Sequence, residues 1–328
     1  MVLTYTASEN EDGRTVYSIV RREFKVSSAL LRRLKAALAI SVSGAPVFTD
    51  YRLSPGETVT VDIAAAEQPC DNIPEHGSLE VLFENEGLIA VNKPAGLIVH
   101  PSRSRNSGTL ANFVAGYLET RGETQGGGSE APPRAPPQAP PRERGGAISL
   151  CSCHAVNRLD RDTSGVVLFA KNSYMKALAS EALAGKEAVK EYLALVFGAM
   201  PESGVIDAPI HRFEERNMLR VVSPEGQRAV TRYETTRVVG AGNGQVSSVL
   251  LRLETGRTHQ IRVHCLHIGR PVLGDKLYYT AGSNSLSQSL GVETQALHAY
   301  RLCFKAPLTG EYLEITAPAP DIFKLENV

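Results

Sequence analysis

Apolar residues recur along the chain with two periods, and the change from one to the other divides it into elements. Leu30, Leu31, Leu34 and Leu38 return at helical spacing behind Ser27 and Ser28, either of which can cap the helix start. ISVSGAPV follows, with Gly44 turning between two short strands. Val59, Val61 and Ile63 alternate through ETVTVDI, a strand with one buried face. LEVLFENEGLIAVNKPAG reads as two strands about a turn at Asn85–Gly87. In TLANFVAGYL, Leu110, Phe113, Val114, Tyr117 and Leu118 form one helical stripe. Strand patterns then recur in GVVLFAK, VKEYLALVFG, AVTRYETTRVV, QVSSVLLRLETG, LHAYRLCF and EYLEITAP. Only SYMKALASEALAG and THQIRVHCLHIG read as helices between them, the second capped by Thr258 and ended by Gly269. Many strands, few helices and no strict β-α alternation predict an α+β fold: a large, mainly antiparallel mixed sheet flanked by helices.

Two breaks interrupt this pattern. AAAEQPCDNIPEHG, at 64–78, is turn-rich and aperiodic. A second stretch, 120–147, is dense in Gly, Pro and polar residues and cannot bury a core, so it is expected to be a disordered insert within a domain. The expected organisation is a small module over 14–64 and a large domain over 79–328. A chain of 328 residues is long enough for both.

Composition excludes some classes. No run of about 18 apolar residues is present, and the N-terminus lacks the basic and apolar pattern of a signal peptide, so no membrane association and a cytoplasmic location are expected. Five scattered cysteines suit reduced thiols. Cys151, Cys153 and His154 are closely spaced, yet no second ligand cluster matches them, and no metal is expected. The 35 basic and 35 acidic residues cancel, which argues against a purely electrostatic nucleic-acid binder but leaves room for a local basic face. RREFKVSSALLRRLK is one: Arg21, Arg22, Lys25, Arg32, Arg33 and Lys35 meet a single acid, Glu23. A solvated helix surface has the same signature.

Three stretches can carry chemistry. Val156 to Gly165 packs Arg158, Asp160, Arg161 and Asp162 into a polar loop delivered to an apolar strand. The two carboxylates could form a general acid/base pair, or one could be held ionised by a cation as nucleophile or base; a surface salt-bridge loop is the plain alternative. In Glu254 to His264, Arg262 lies close to a helix N-terminus, where the dipole offers it nothing, so it needs a carboxylate or phosphate. His259 and His264 lack a carboxylate-rich partner motif and do not point to a metal. In KEYLALVFG, Tyr192, Ala194 and Val196 share one strand face, opposite Glu191, Leu193, Leu195 and Phe197. Tyr192 is either core or a platform on which a base stacks.

Together these stretches resemble the RluA-class pseudouridine synthases across nearly all of 79–320. NRLDRDTSGVVLFAK is close to the signature H-R-L-D-x-x-T-S-G, with Asn157 where that family most often has His. KEYLALVFG, and GRTHQIRVH followed by GRPVLGDKLY, match the second and third motifs. LIAVNKPAGLIVHP looks like the opening, and QALHAYRLCF and PLTGEYLEITAP like the closing strands. The N-terminal LLRRLK, ISVSGAPV and LSPGETVTV resemble an S4 RNA-binding domain, with Ser43 where that family usually has Asn. The resemblance implies isomerisation of uridine in RNA, with Asp160 the catalytic carboxylate, Arg262 its partner and Tyr192 beside the target base. Arg158 would fill the gap left by the extruded nucleotide. Lys190, His259 and Gln260 would contact the substrate, and so would Arg32 and Arg33 from the module. Asn157 would bear on substrate choice, and Asp162 falls on a variable position. The implied partner is structured RNA, most directly 23S ribosomal RNA, with no cofactor and no obligate protein partner. An inactive RNA-binding homologue, a transfer-RNA synthase and a carboxylate-pair glycoside hydrolase are the other readings, the last disfavoured by the absence of Trp and the scarcity of aromatics near Asp160.

Overall fold

The computed structural model describes residues 1–68, 72–102, 106–121, 152–213, 219–241 and 244–324. The insert expected at 120–147 lies, from residue 122 onward, outside the described residues, as do Cys70 and Cys151.

The N-terminal module is a sheet of four strands with two helices. Strand β1 (Val2–Thr6) precedes helices α1 (Val16–Arg22) and α2 (Ser28–Ala36) and strands β2 (Ile40–Val42), β3 (Ala45–Pro46) and β4 (Thr58–Asp62), and the strand order is β1-β4-β2-β3. Ser27 caps α2 by accepting from the Leu30 amide, so Leu30, Leu31 and Leu34 are buried. Ser43 and Gly44 both have positive φ, the geometry of a tight hairpin turn. The sheet starts at Val2, twelve residues before the boundary read from the sequence (14 − 2 = 12). Its edge strand alternates only weakly, and its backbone pairing with β4 is what includes it. The basic stretch is two helices, not one: Lys25 takes φ 53 between them and turns α2 away from α1.

The large domain carries strands β5 (Glu80–Glu84), β6 (Leu88–Lys93), β7 (His154–Ala155), β8 (Ser164–Ala170), β9 (Val189–Phe197), β10 (Ser203–Asp207), β11 (Ile210–Arg212), β12 (Arg220–Val222), β13 (Val230–Ala241), β14 (Gly244–Leu253), β15 (Leu297–Lys305) and β16 (Tyr312–Thr316). Its helices are α3 (Leu110–Thr120), α4 (Ser173–Ala184), α5 (Gln260–His267) and α6 (Ala281–Ser289). The main sheet runs β10-β13-β14-β9-β15-β8-β6-β5, with β16 beside β15 and β7 beside β8. Its pairs are antiparallel except β15 with β8, so the sheet is mixed and mainly antiparallel, as the pattern predicts. Alternation sorts each strand between two layers. Ile89, Val91, Val167 and Phe169 pack under α3, and Leu88, Ala90, Val166 and Leu168 pack on α4. Helix α6 is unforeseen: its sequence is rich in Ser, and Ser283 and Ser287 are buried by bonding backbone within and beside the helix.

The two parts share one core. Val16, Ile19, Leu34 and Val61 of the module belong to the same buried cluster as Tyr174, Met175 and Leu178 of α4 and Phe304 of β15. The buried Tyr174 hydroxyl donates to the Phe24 carbonyl at 2.7 Å. Glu67, in the stretch read as a break, accepts from the Ser173 amide (3.0 Å) and hydroxyl (2.8 Å) and from Ser152 (2.9 Å), and lies 3.2 Å from His154. Further on, Asn112 donates to the Ile73 carbonyl, and Gly116 leaves room for the chain: a Cβ there would stand 2.2 Å from the Glu75 oxygen. This segment is held by polar bonds to the neighbouring layers and not by an apolar face, so it carries no hydrophobic period. Calorimetry should therefore show a single cooperative unfolding transition for module and large domain together, and Tyr174→Phe should lower its stability by about 1–2 kcal/mol. A separate early transition for the module would contradict the shared core.

Candidate active site

Asp160 lies in the loop before β8, and three anchors fix that loop. The Asn157 carboxamide donates to the Val166 carbonyl (3.2 Å) and accepts from the Leu168 amide (2.7 Å). Asn157 is thus a stitch between loop and strand on the wall of the cleft. The fully buried Lys93 donates to the carbonyls of Pro94 (2.9 Å), Leu97 (2.7 Å) and Arg161 (2.7 Å). The Thr163 amide closes the turn on the Asp160 carbonyl at 3.2 Å. Gly165 then admits the chain beside β15. Its φ is +109, and a Cβ would meet the Ala299 oxygen at 2.2 Å, so only glycine fits. Ala299 pairs with both Gly165 and Tyr192, which sets the loop above the Tyr192 position of β9.

Arg262 joins this loop to the far side of the site. Its Nη1 donates to Asp160 Oδ2 at 2.8 Å, and its Nε and Nη2 donate to the two oxygens of Asp275 at 2.6 and 2.9 Å. Asp275 is fully enclosed, whereas 27% of the Asp160 side chain is exposed to the cleft. The guanidinium carbon stands 4.9 Å from the centre of the Tyr278 ring. Burial alone would lower the Arg262 pKa; the bonds and charge of Asp275, then Asp160, more than offset it and raise the value, so the cation persists. Helix α5 begins after His259, in the left-handed region at φ 57, and no side chain caps it. The cap expected from Thr258 is absent because Gln260 organises this turn instead. Gln260 accepts from the Thr255 hydroxyl and the Arg257 amide, and donates to the Val230 carbonyl and Thr231 hydroxyl. Its carboxamide is occupied within the protein, so what it does here is hold the turn that carries His259 and Arg262.

The cleft above Asp160 has a volume of about 990 Å³. Asp160, Arg158, Tyr192, Lys190 and His259 all line it. Burial, then the Asp160 charge, pushes the Tyr192 phenol up to about 12, so it stays protonated. Burial, aided by Arg262, outweighs Asp160 and keeps the His259 imidazole below its usual value; its Nδ1 lies 2.9 Å from the Tyr278 hydroxyl. Burial also lowers Lys190. Asp162 pairs with Arg161 at the surface and does not line this cleft. Arg32 and Arg33 stand apart on α2, and Arg33 reaches only as far as Ser173 of α4. Sequence reasoning missed Asp275, Lys93 and Arg220. The first two sit inside GRPVLGDKLY and LIAVNKPAG, where the motif text gave the signal. Arg220, on the cleft wall, has no such signal; a bond from its amide to the Tyr278 hydroxyl (2.8 Å) brings it there.

Among the described residues no three His, Cys, Asp or Glu side chains gather as metal ligands. Cys153 lies near the Ala111 carbonyl, while His154 faces Glu67. No helix among them is long and apolar enough to cross a membrane.

Two measurements probe the anchors. Asp275→Asn removes a buried anion from Arg262 and should cost about 3–5 kcal/mol of stability in denaturant titration. Burial lowers the Lys93 ammonium from 10.5 to about 8, against the opposing pull of Asp162 and Asp160. The unfolded chain thus holds this proton more tightly than the folded one, so stability rises as pH climbs from about 8 to 10.5. Relative to Lys93→Met, the wild type should gain roughly 1 kcal/mol per pH unit across that window.

Known proteins share this sequence and fold. The family model for RNA pseudouridylate synthase matches residues 87–267. An uncharacterised RNA pseudouridine synthase of Bacillus subtilis, YhcT, is 33% identical over 314 residues, covering 95% of this chain and 92% of that protein. The ribosomal large subunit pseudouridine synthase D of Vibrio parahaemolyticus is 31% identical, covering 98% of this chain and 92% of its own. Among solved structures, human RNA pseudouridylate synthase domain containing 1 superposes with a TM-score of 0.55 at 23% identity, over 75% of this chain and 86% of that one, a likeness of fold. A family match over more than half of the chain, with near full-length relatives, makes it a member of the RNA pseudouridylate synthases, isomerases that turn uridine in RNA into pseudouridine.

Proposed function

We propose that this protein isomerises a uridine in structured RNA, with large-subunit ribosomal RNA as the substrate class and Asp160 as the catalytic carboxylate. The observation that carries the reading is the 2.8 Å bond between Asp160 and Arg262 at the mouth of a cleft lined by Tyr192. The relatives named for the ribosomal large subunit support the substrate class. Such a reaction runs in the cytoplasm.

The chemistry requires few parts. The target nucleotide is unstacked and turned into the cleft, at a cost of a few kcal/mol. Arg158, exposed at the rim, is placed to occupy the vacated stack. Tyr192 supports the everted pyrimidine from below and, kept protonated, adds no competing anion. Asp160 acts on the sugar, either attacking C1′ or withdrawing a sugar proton, while the bond from C1′ to N1 breaks. The ring turns and C5 bonds to C1′ as Asp160 leaves that carbon or the sugar proton is returned. C5 then gives up its proton and N1 takes one up, so substrate and product are isomers and no redox partner is called for. Lys190 and His259 supply contacts along the walls. The N-terminal module, S4-like in its helices and hairpin, supplies a second RNA contact.

Asp160→Asn preserves shape and removes the anion. Tritium release from RNA labelled at uridine C5 should fall by several orders of magnitude, while RNA affinity in a filter-binding assay holds. Wild-type release rates in this variant would overturn the assignment.

A further inference from the structure

Helix α4 separates the catalytic cleft from the N-terminal module, and its exposed side has an unusual composition. Tyr174, Met175, Leu178, Ala179 and Leu183 are buried. Ser173, Lys176, Ser180 and Ala184 recur at steps of three and four, which places them on one stripe. At the lower end of this stripe, Arg33 of the module donates to the Ser173 hydroxyl at 3.2 Å, and its Nε is buried without a hydrogen-bond partner. At the upper end, Ser180 and Ala184 line the catalytic cleft together with His100, Arg158 and Lys190. His100 and Arg158 share the cleft wall with Ser180, and Lys176 stands one turn before Ser180 on the same stripe. Partial desolvation, then the charges of Arg158 and Lys176, holds the His100 imidazole below its usual value. Of the acids near it, Glu181 is exposed, the Glu67 carboxylate is already bound by Ser152, His154 and Ser173, and Glu191 on the cleft wall is held by Arg252 and Arg301.

We infer that the stripe is a phosphate track: Arg33, Lys176, His100 and Arg158 carry one RNA strand from the docked module to the slot at Asp160. The inference rests on the RNA-uridine reading above and adds the route that the substrate takes. Ser173 to Ser180 spans ~10 Å of helix, enough to seat a few nucleotides. The cations of Arg33, Lys176 and Arg158 are spaced along it with the Ser180 hydroxyl and the His100 ring between them, a set that grips phosphate oxygens without reading bases. The Ser173 hydroxyl, given to Glu67, holds Arg33 in place. Because module and large domain share one core, the track has a fixed length and works as a ruler between the two contacts. A tethered module would offer no such constraint.

The test compares the full chain with Lys176→Glu and with Arg237→Glu, an equal charge reversal on β13, on an in vitro transcript of large-subunit ribosomal RNA. Lys176 is exposed on a helix whose buried side is untouched, so the fold is not at stake. Lys176→Glu should weaken binding about tenfold at physiological salt and flatten the slope of log affinity against log salt by about one. Arg237→Glu should bind as wild type does. Unchanged affinity and slope in Lys176→Glu, or an equal loss in Arg237→Glu, would overturn the track. Tritium release by the wild type is read on the same transcript. An active wild type with a normally binding Lys176→Glu sinks the track alone, whereas a wild type inactive on every uridine-containing RNA sinks the reading beneath it.

Discussion

One guanidinium serves two carboxylates, and the geometry of the site follows from that division. Asp275 takes two of the Arg262 donors side-on and has no exposure, so it fixes the plane of the cation. Asp160 takes one N–H of the third nitrogen, and its other oxygen lies 3.8 Å from Nε2 of His259 on the cleft wall. Two anions against one cation leave an excess negative charge, and it resides on the carboxylate that solvent and substrate can reach. A buried pair is expensive to desolvate, so such an arrangement is weak evidence for stability and better evidence for a functional use. The surroundings are consistent with that use: the turn before α5 holds His259 in a left-handed conformation, and Tyr278 stacks on the cation while bonding His259.

The loop bearing Asp160 meets a different constraint, that of reaching the sheet. It arrives beside the parallel junction of β8 and β15, where neighbouring backbones approach too closely for any side chain at Gly165. Asn157 and Lys93 then commit polar groups to main-chain oxygens and an amide, holding the loop. Ionised groups and amides here are scaffolding as much as chemistry.

That division explains what the sequence made legible. Apolar patterning marked the strands of the main sheet, as continuous runs where β6 and β8 are buried on both faces, and the spacing of Tyr192, Ala194 and Val196 gave the correct face of β9. The motif around Asp160 and Arg262 was readable because its residue types are locally improbable unless paired. Roles set by distant partners were not readable. Asn157 and Gln260 look like recognition groups in a string of letters, yet the Asn157 carboxamide bonds the backbone of β8, and that of Gln260 bonds its own turn and the start of β13. Asp275 lies thirteen residues beyond Arg262 and shows its purpose only when α5 folds back. Helix α6 lacks an apolar period, and β1 is defined by its pairing with β4.

The buried contact between the module and α4 bears on how such proteins diversify. A recruitment domain on a loose string can be traded for another by recombination at the string, with no adjustment elsewhere. Here the equivalent cut would strip cover from Tyr174, Met175 and Leu178 and orphan the carboxylate of Glu67. Any replacement would have to bring a matching apolar surface and an acid at the same spot, so changes of target would accumulate through residues on the module's outer side, with the module itself inherited as part of the enzyme body.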